Sequence, residues 1–85
     1  MHIQVKFFAS LREKLGVSQM SLDLPHEVKT VGDLRLKLAK HAPGWGEIFA
    51  PQQNIRAAQH QVMVESNTLL EDGAEIAFFP PVTGG

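Results

Sequence analysis

The chain has 85 residues, which is enough for one compact domain but not for two. Its hydrophobic fraction of 44%, charged fraction of 20% and net charge of −1 are typical of a globular protein and give no electrostatic reason to expect nucleic acid or a membrane as a partner. The absence of cysteine excludes disulfides and thiolate metal sites, and because neither a leader segment nor an apolar run near ~18 residues is found, we expect a cytoplasmic protein.

The N-terminal third alternates with a period of two and predicts two strands. The apolar side of the first strand would consist of Ile3, Val5 and Phe7. Phe8 then falls on the opposite side. Residues 10–13 (SLRE) have the form of a capping box, which predicts a short helix that ends at Gly16. The second strand, expected to pair with the first, has on its apolar side Met20, Leu22 and Leu24.

The main helix is predicted in the middle of the chain. Thr30 is a good N-cap, and Asp33 would lie near the positive end of the helix dipole. The buried stripe of this helix would consist of Val31, Leu34 and Leu38. The helix should end near His41, and residues 45–49 suggest one further helical turn.

The last third predicts short strands at residues 55–58 and 62–64 and a final strand at 75–79. The element order ββαβ(β)β corresponds to an α+β fold with a mixed sheet of four or five strands and one main helix on one face. We expect a domain at residues 1–79 and an extended tail at 80–85, because two prolines cannot continue the sheet.

Side chains with catalytic potential form no recognisable constellation. The histidines are scattered and predict no metal site: His2, His26, His41 and His60. A carboxylate pair for acid–base chemistry is conceivable near one turn, but a solvated hairpin tip is the simpler interpretation of Glu71, Asp72 and Glu75. A phosphate could in principle be bound by arginines, but nothing in their spacing predicts that they converge on one site; they are Arg12, Arg35 and Arg56. The chain is therefore a poor candidate for an enzyme acting alone.

The last residues carry more information. Pro80 and Pro81 favour extended geometry that projects the chain away from the sheet. Gly84 and Gly85 lack a Cβ atom, so they can enter a channel too narrow for any side chain. A carboxylate on Gly85 could attack the α-phosphate of ATP and form an acyl adenylate. The alternative is a frayed terminus without function.

Three segments resemble the small subunits of molybdopterin synthase, a family of ubiquitin-like sulfur carriers. They are VKFFASLRE at residues 5–13, DGAEIAFF at 72–79 and the ending FFPPVTGG at 78–85. The resemblance implies a β-grasp fold with a flexible C-terminal Gly-Gly tail. One segment departs from the family pattern, since residues 59–61 (QHQ) stand where an apolar-Asn-Gln sequence is expected.

The resemblance also implies a function. An E1-like enzyme would adenylate Gly85 with ATP, and a sulfurtransferase would supply the sulfur of a terminal thiocarboxylate. The tail would enter the large synthase subunit, in a heterotetramer of two copies of each subunit, and give its sulfur to cyclic pyranopterin monophosphate. Gly84 would allow passage, and the threading arm would consist of Pro80, Pro81, Val82 and Thr83. The chain itself would bind no cofactor or metal, because the pterin site would belong to the large subunit.

Strand parity predicts a partner surface. If Phe78 faces the helix, Phe79 lies on the outer face of the sheet, as Phe8 does. Exposed aromatic side chains usually mark a partner site. Met63, at a position that resembles the family's partner-contacting strand, would join this surface, with Arg12 at its rim. The alternative is that a loop covers the two aromatic side chains.

Three other functions stay open at this point. The sulfur carrier of thiamin biosynthesis resembles this fold and ends in Gly-Gly, but it is typically shorter and lacks the FFPPVTG approach. A ubiquitin-related modifier conjugated to lysines is a further possibility. The third is a non-catalytic interaction domain with an inert tail.

Overall fold

The computed structural model describes residues 1–81, which form five strands and three helices. In chain order the elements are β1 (His2–Phe7), α1 (Ala9–Leu15), β2 (Gln19–Asp23), α2 (Val31–Ala39), α3 (Trp45–Ile48), β3 (Arg56–Gln59), β4 (Val62–Val64) and β5 (Glu75–Phe79). None of the helices in this part of the chain is long and apolar enough to cross a membrane. Most of the predicted tail, residues 82–85, lies outside the described residues, so the division into domain and tail stays a prediction.

The strands form one mixed sheet in the order β2-β1-β5-β3-β4. β1 pairs antiparallel with β2 and parallel with β5, whereas β3 pairs antiparallel with β5 and β4. The first and last strands of the chain are therefore neighbours in the middle of the sheet. This arrangement confirms the predicted α+β fold, with five strands. β3 begins one residue later than predicted and includes Gln59, which the sequence pattern places in the turn.

The core lies between the sheet and the helices. Alternate residues of β1 and β5 are buried, as the period of two predicts, and α2 adds its apolar stripe. The largest fully buried side chains are Phe7, Phe78, Ile3, Leu34, Leu38, Ile76 and Val5. Trp45 and Phe49 close one end of this core, with ring centroids 5.9 and 6.1 Å from that of Phe7. Leu36, which lies off the stripe, is 59% exposed.

The capping box predicted at Ser10 is wrong, because the N-cap of α1 lies two residues earlier. The N-cap is Phe8, which has no side-chain cap, and Ala9 adopts a left-handed φ of +54°. This sharp turn joins β1 directly to the helix, so Ser10 already lies inside the first turn and cannot cap it. The amide of Arg12 donates to the Phe8 carbonyl at 3.3 Å. The helix ends as predicted at Gly16, with φ +79°.

α2 begins at the N-cap predicted at Thr30, and the structure shows that Thr30 and Asp33 form a capping box. The amide of Asp33 donates to Thr30 Oγ1 at 3.1 Å, and the Asp33 carboxylate accepts the Thr30 amide at 3.1 Å. Hydrogen bonds from the amides of Lys29 and Thr30 hold the pKa of Asp33 below its ordinary value. The helix ends at Ala39, two residues before His41, because its last turn tightens. There the His41 amide donates to the carbonyl three residues earlier, at 3.0 Å.

The hairpin between β3 and β4 has a two-residue loop in an unusual conformation for its sequence. His60 and Gln61 both have positive φ, at +51° and +67°. Two consecutive left-handed residues form a type I′ turn, which matches the twist of the strands and favours Asn-Gly. The departure from the family pattern noted above therefore falls on a turn in which both side chains are disfavoured.

Replacing this loop by His60→Asn/Gln61→Gly should stabilise the protein by about 1 kcal/mol, because both new residues tolerate positive φ. The measurement is the denaturant midpoint at an unchanged m-value. Gln61→Ala serves as control, since alanine still has a Cβ atom at this φ and should give no gain. A loss of stability in the Asn-Gly variant would contradict the type I′ geometry.

Candidate functional site

The last strand leads directly into the predicted threading arm. β5 lies between β1 and β3, and Phe78 pairs with Phe7 of β1 and with Ala57 of β3. Phe78 is 1% exposed and packs edge-on against Phe49, at a centroid distance of 5.8 Å. The strand that precedes the arm is therefore anchored by the aromatic core. Of the arm, Pro80 and the residue after it are described and partly buried. The rest of the predicted arm and Gly85 lie outside the described residues.

A groove of about 260 Å³ surrounds the start of the arm. Pro80 and Pro81 lie on one side of it. The other lining residues come from α1, from the end of α3 and from the segment that connects α3 to β3, and they are Ser10, Leu11, Lys14, Glu47, Ile48, Gln53, Asn54 and Ile55. The guanidinium of Arg35 holds this segment, because its Nε donates to the carbonyl of Phe49 at 2.9 Å and its Nη2 to that of Gln53 at 2.8 Å. Burial lowers the pKa of Arg35. The base of the arm thus lies between two fixed walls.

The outer face of the sheet carries an apolar surface, which we call the outer-face patch and define as Phe8, Phe79, Met63, Ala58 and Ala77. Ala77 pairs with Ala58, and Ala58 with Met63, so these three form one row across the sheet. Phe8 follows Phe7, the partner of Phe78, and therefore lies beside Phe79. The structure thus places on one face of the sheet the three apolar residues predicted from the sequence, which are Phe8, Phe79 and Met63.

The exposure of the patch differs among its members. Phe8 is 44% and Met63 49% exposed, so no loop within the described chain covers them. Phe79 is only partly exposed, less than strand parity alone predicts, because β5 has a neighbouring strand on each side. Ala58 is 7% exposed but lies outside the core cluster. The patch is therefore a shallow apolar surface with two protruding side chains.

Arg12 lies at the end of the patch where β1 turns into α1. It is exposed and one helical turn beyond Phe8, whose carbonyl accepts its amide. The left-handed Ala9 sets this arrangement, since it directs the chain into α1 immediately after Phe8. No sequence signal identifies Ala9, because alanine is not a residue typical of positive φ.

The other half of the outer face is polar. Lys6 Nζ lies 2.9 Å from Glu75 Oε1, and Gln4 Nε2 donates to Ser21 Oγ at 2.7 Å. These pairs span β2, β1 and β5 at the opposite end of the sheet from Met63. The patch therefore has a polar boundary on one side, as partner surfaces commonly do.

The remaining candidate residues serve the fold. Within residues 1–81 no three metal-ligating side chains come together. His2 Nδ1 lies 2.7 Å from Asp23, and the His2 amide donates to Asp72 Oδ1 at 2.8 Å, so this carboxylate of the predicted hairpin tip holds the start of β1. Arg35 is bound to backbone carbonyls, and Arg12 is exposed on α1. Arg56 is exposed on β3 and pairs with Phe79, so it lies beside the outer-face patch. The side chains of His2 and Asp23 are 53% and 91% exposed, so this pair lies in solvent and not in an enclosed site.

One structural residue escapes prediction. Gln59 is 6% exposed, and its side chain joins β3 to the segment before β5. Its Nε2 donates to the Leu69 carbonyl at 3.1 Å, and its Oε1 accepts the Glu71 amide at 3.0 Å. Both polar atoms of the side-chain amide therefore have a hydrogen-bond partner, which removes most of the free-energy cost of burying this polar side chain. A glutamine next to a turn gives no sequence signal for this role.

The sequence resembles characterised proteins along its whole length. Residues 5–85 match the family described as the ThiS family. A protein of Escherichia coli named molybdopterin synthase sulfur carrier subunit is 39% identical over 85 residues, which cover 98% of this chain and 99% of that protein.

Two solved structures are similar in fold. The small archaeal modifier protein 1 of Haloferax volcanii matches with a TM-score of 0.76 and 27% identity, over 95% of this chain and 98% of that one. Subunits 1 and 2 of the molybdopterin-converting factor of Helicobacter pylori were solved as a complex. A chain of that complex matches with a TM-score of 0.67 and 26% identity, over 100% of both chains.

Proposed function

Because this chain belongs to the ThiS family, we propose that it is the sulfur-carrier small subunit of a molybdopterin synthase. The observation that carries the proposal is the position of the arm. A core-anchored central strand runs past the outer-face patch directly into Pro80 and Pro81, and a Gly-Gly pair follows. The full-length similarity to the Escherichia coli sulfur carrier subunit supports the same conclusion.

The proposed chemistry takes place on the carboxylate of Gly85. An oxygen of this group attacks the α-phosphorus of ATP in an E1-like enzyme, which forms an acyl adenylate and releases pyrophosphate. A sulfide equivalent from a sulfurtransferase then displaces AMP and leaves a thiocarboxylate. The sulfur finally passes to cyclic pyranopterin monophosphate. The proposed chemistry assigns no role to a side chain of residues 1–81.

The proposed main partner is the large subunit of the synthase. The Helicobacter pylori complex supports this choice, since its two chains are subunits of one converting factor. The outer-face patch would bind that subunit, while residues 80–84 lead Gly85 into its active site. Phe8 and Met63 protrude most and would be the first side chains to be buried. We propose a heterotetramer with two copies of each subunit, and a cytoplasmic location.

A protein modifier is the second candidate function, because the fold also matches the small archaeal modifier protein 1. Activation of Gly85 would be the same, but the acyl group would pass to a lysine amine instead of to sulfur. The name of the Escherichia coli relative favours molybdopterin synthase over the thiamin sulfur carrier and the inert interaction domain.

Mass spectrometry of the protein from its native cells separates these functions. A sulfur carrier should show a fraction whose terminal peptide ends in Gly85 and is heavier by about 16 Da, because sulfur replaces one oxygen. A modifier should instead appear joined to lysines of other proteins. If only the unmodified mass is found in cells that are making molybdopterin, the sulfur-carrier proposal is wrong. Co-purification with a tagged large subunit tests the partner separately.

A further inference from the structure

The free edge of β2 has unpaired backbone groups. β2 is the outermost strand on its side of the sheet and pairs only with β1. The amide of Phe7 donates to the Ser18 carbonyl at 2.9 Å, and the amide of Leu24 to the Met1 carbonyl at 2.7 Å. These bonds fix the phase of the antiparallel ladder. The residues whose N–H and C=O groups point away from β1 are therefore Gln19, Ser21 and Asp23.

This edge is open along its whole length. The three outward-facing residues are all exposed, and within the described chain none of their backbone groups takes part in a turn, cap or loop hydrogen bond. Unpaired edge groups are a template for a further strand. β2 spans five residues, or about 17 Å, which is enough for an added strand of similar length.

A groove of about 300 Å³ adjoins the edge on the side of the helices. It lies between β2 and the C-terminal end of α2 and is lined by Leu22, Lys37, Leu38, Lys40 and His41. Its floor is apolar, and its wall carries two lysines and a histidine. No carboxylate lines it, and within residues 1–81 neither lysine forms an ion pair.

The groove is more basic than the helix requires. One basic residue in the last turn, Lys37, already complements the negative end of the α2 dipole. Lys40 lies beyond the helix and is exposed, as is His41, whose ring centroid is 4.9 Å from that of Trp45. The charge is thus concentrated beside an open strand edge. That combination fits a partner with both an extended backbone and negative charge.

From these features we infer that the β2 edge and its groove bind an extended segment of a partner protein that carries alternate apolar residues together with acidic residues. The backbone of the segment would pair with Gln19, Ser21 and Asp23. Its apolar side chains would lie over the partly exposed Leu22, beside the buried Leu38, and its carboxylates would face Lys37 and Lys40. Main-chain pairing would give affinity, and the groove and the lysines would give selectivity.

The other free edge is less suited to such a segment. β4 has only three residues, and one of them, Met63, belongs to the outer-face patch. The cavity beside β4 contains Glu65 together with its arginines, so it has no single sign of charge. The β2 edge is separated from β4 by three strands. A segment on β2 and a partner on the outer-face patch can therefore bind at the same time, and the inference is independent of the proposed function.

The test uses an unlabelled peptide in which valine and threonine alternate over four residues and four glutamates follow. It is titrated into the isotope-labelled full chain, and binding is followed at the backbone amide signals of that chain by NMR. We expect saturable shifts at the amides of β2 and at Lys37 and Lys40, with affinity that falls as salt increases. A peptide with lysines in place of the glutamates should bind at least about tenfold more weakly. Absence of binding up to about 1 mM, or shifts confined to β4, would overturn the inference.

Two pairs of variants test the two recognition elements separately. Ser21→Pro removes an outward-facing N–H without breaking a bond to β1 and should weaken binding about fivefold or more, whereas Ser21→Ala keeps this N–H and should bind normally. Lys37→Glu/Lys40→Glu should weaken binding about tenfold, whereas Lys14→Glu/Lys29→Glu, with the same change of net charge, should not. Equal binding by both members of either pair would contradict the inference. Phe79→Ala should leave peptide binding unchanged.

Discussion

Deleting Gly85, or adding one residue after it, should abolish molybdopterin formation in a reconstituted assay with the activating enzyme, the sulfurtransferase and the large subunit. The proposed chemistry uses only this carboxylate, and both changes move it by one residue, or up to ~3.5 Å, from its position for attack. Displacements of about 1 Å can already cost 100-fold in rate. The expected loss is therefore complete within the sensitivity of the assay, whereas the denaturant midpoint should not change.

One residue added before Met1 provides the matched control, since it lengthens the chain equally at the other terminus. Its activity should equal that of the unaltered protein. Gly84→Ala gives an intermediate case, because it keeps the carboxylate in register but adds a Cβ atom that a narrow channel would reject. Activity retained after deletion of Gly85 would refute the sulfur-carrier function and would leave the proposed peptide site on β2 untouched.

Phe78→Ala and Phe79→Ala should have opposite effects on stability and on binding. Phe78 is 1% exposed and packs against Phe7 and Phe49 at centroid distances of 6.4 and 5.8 Å, so its removal leaves a cavity. We expect a loss of about 3–5 kcal/mol in the free energy of unfolding. That is a large part of the ~5–15 kcal/mol typical of a whole domain.

Phe79→Ala should change the free energy of unfolding by no more than about 1 kcal/mol, because this side chain is partly exposed on the outer face. It should weaken binding of the large subunit by roughly 30-fold, or about 2 kcal/mol, as truncation of an aromatic residue at an interface centre often does. The two measurements on each variant are the denaturant midpoint and the affinity for the large subunit. If Phe79→Ala unfolds the protein while Phe78→Ala only weakens binding, the outer-face patch must be abandoned.

The sequence alone determined most elements of the fold, and it is the basis on which Gly85 is proposed as the chemical position. A period of two along β1 and β5 predicts which residues are buried, since side chains alternate strictly between the two faces of a strand. The N-cap at Thr30 and the stop at Gly16 could likewise be predicted, because capping depends on residues adjacent in sequence. The proposal for Gly85 uses the same kind of local argument, from the composition of the last residues and their resemblance to a family.

Only the tertiary structure decided how distant residues come together. Strand order places Phe8, Phe79 and Met63 on one surface, although 71 residues separate the first two in the chain. The buried role of Gln59 depends on carbonyl and amide groups ten and twelve residues away, and the open edge of β2 depends on which strands find partners. The left-handed Ala9 is itself exposed, but it connects Phe7 of β1 to Leu11 of α1, which are both buried in the core. Periodicity and capping report contacts within a few residues, whereas these features arise from contacts between elements, which a local pattern does not encode.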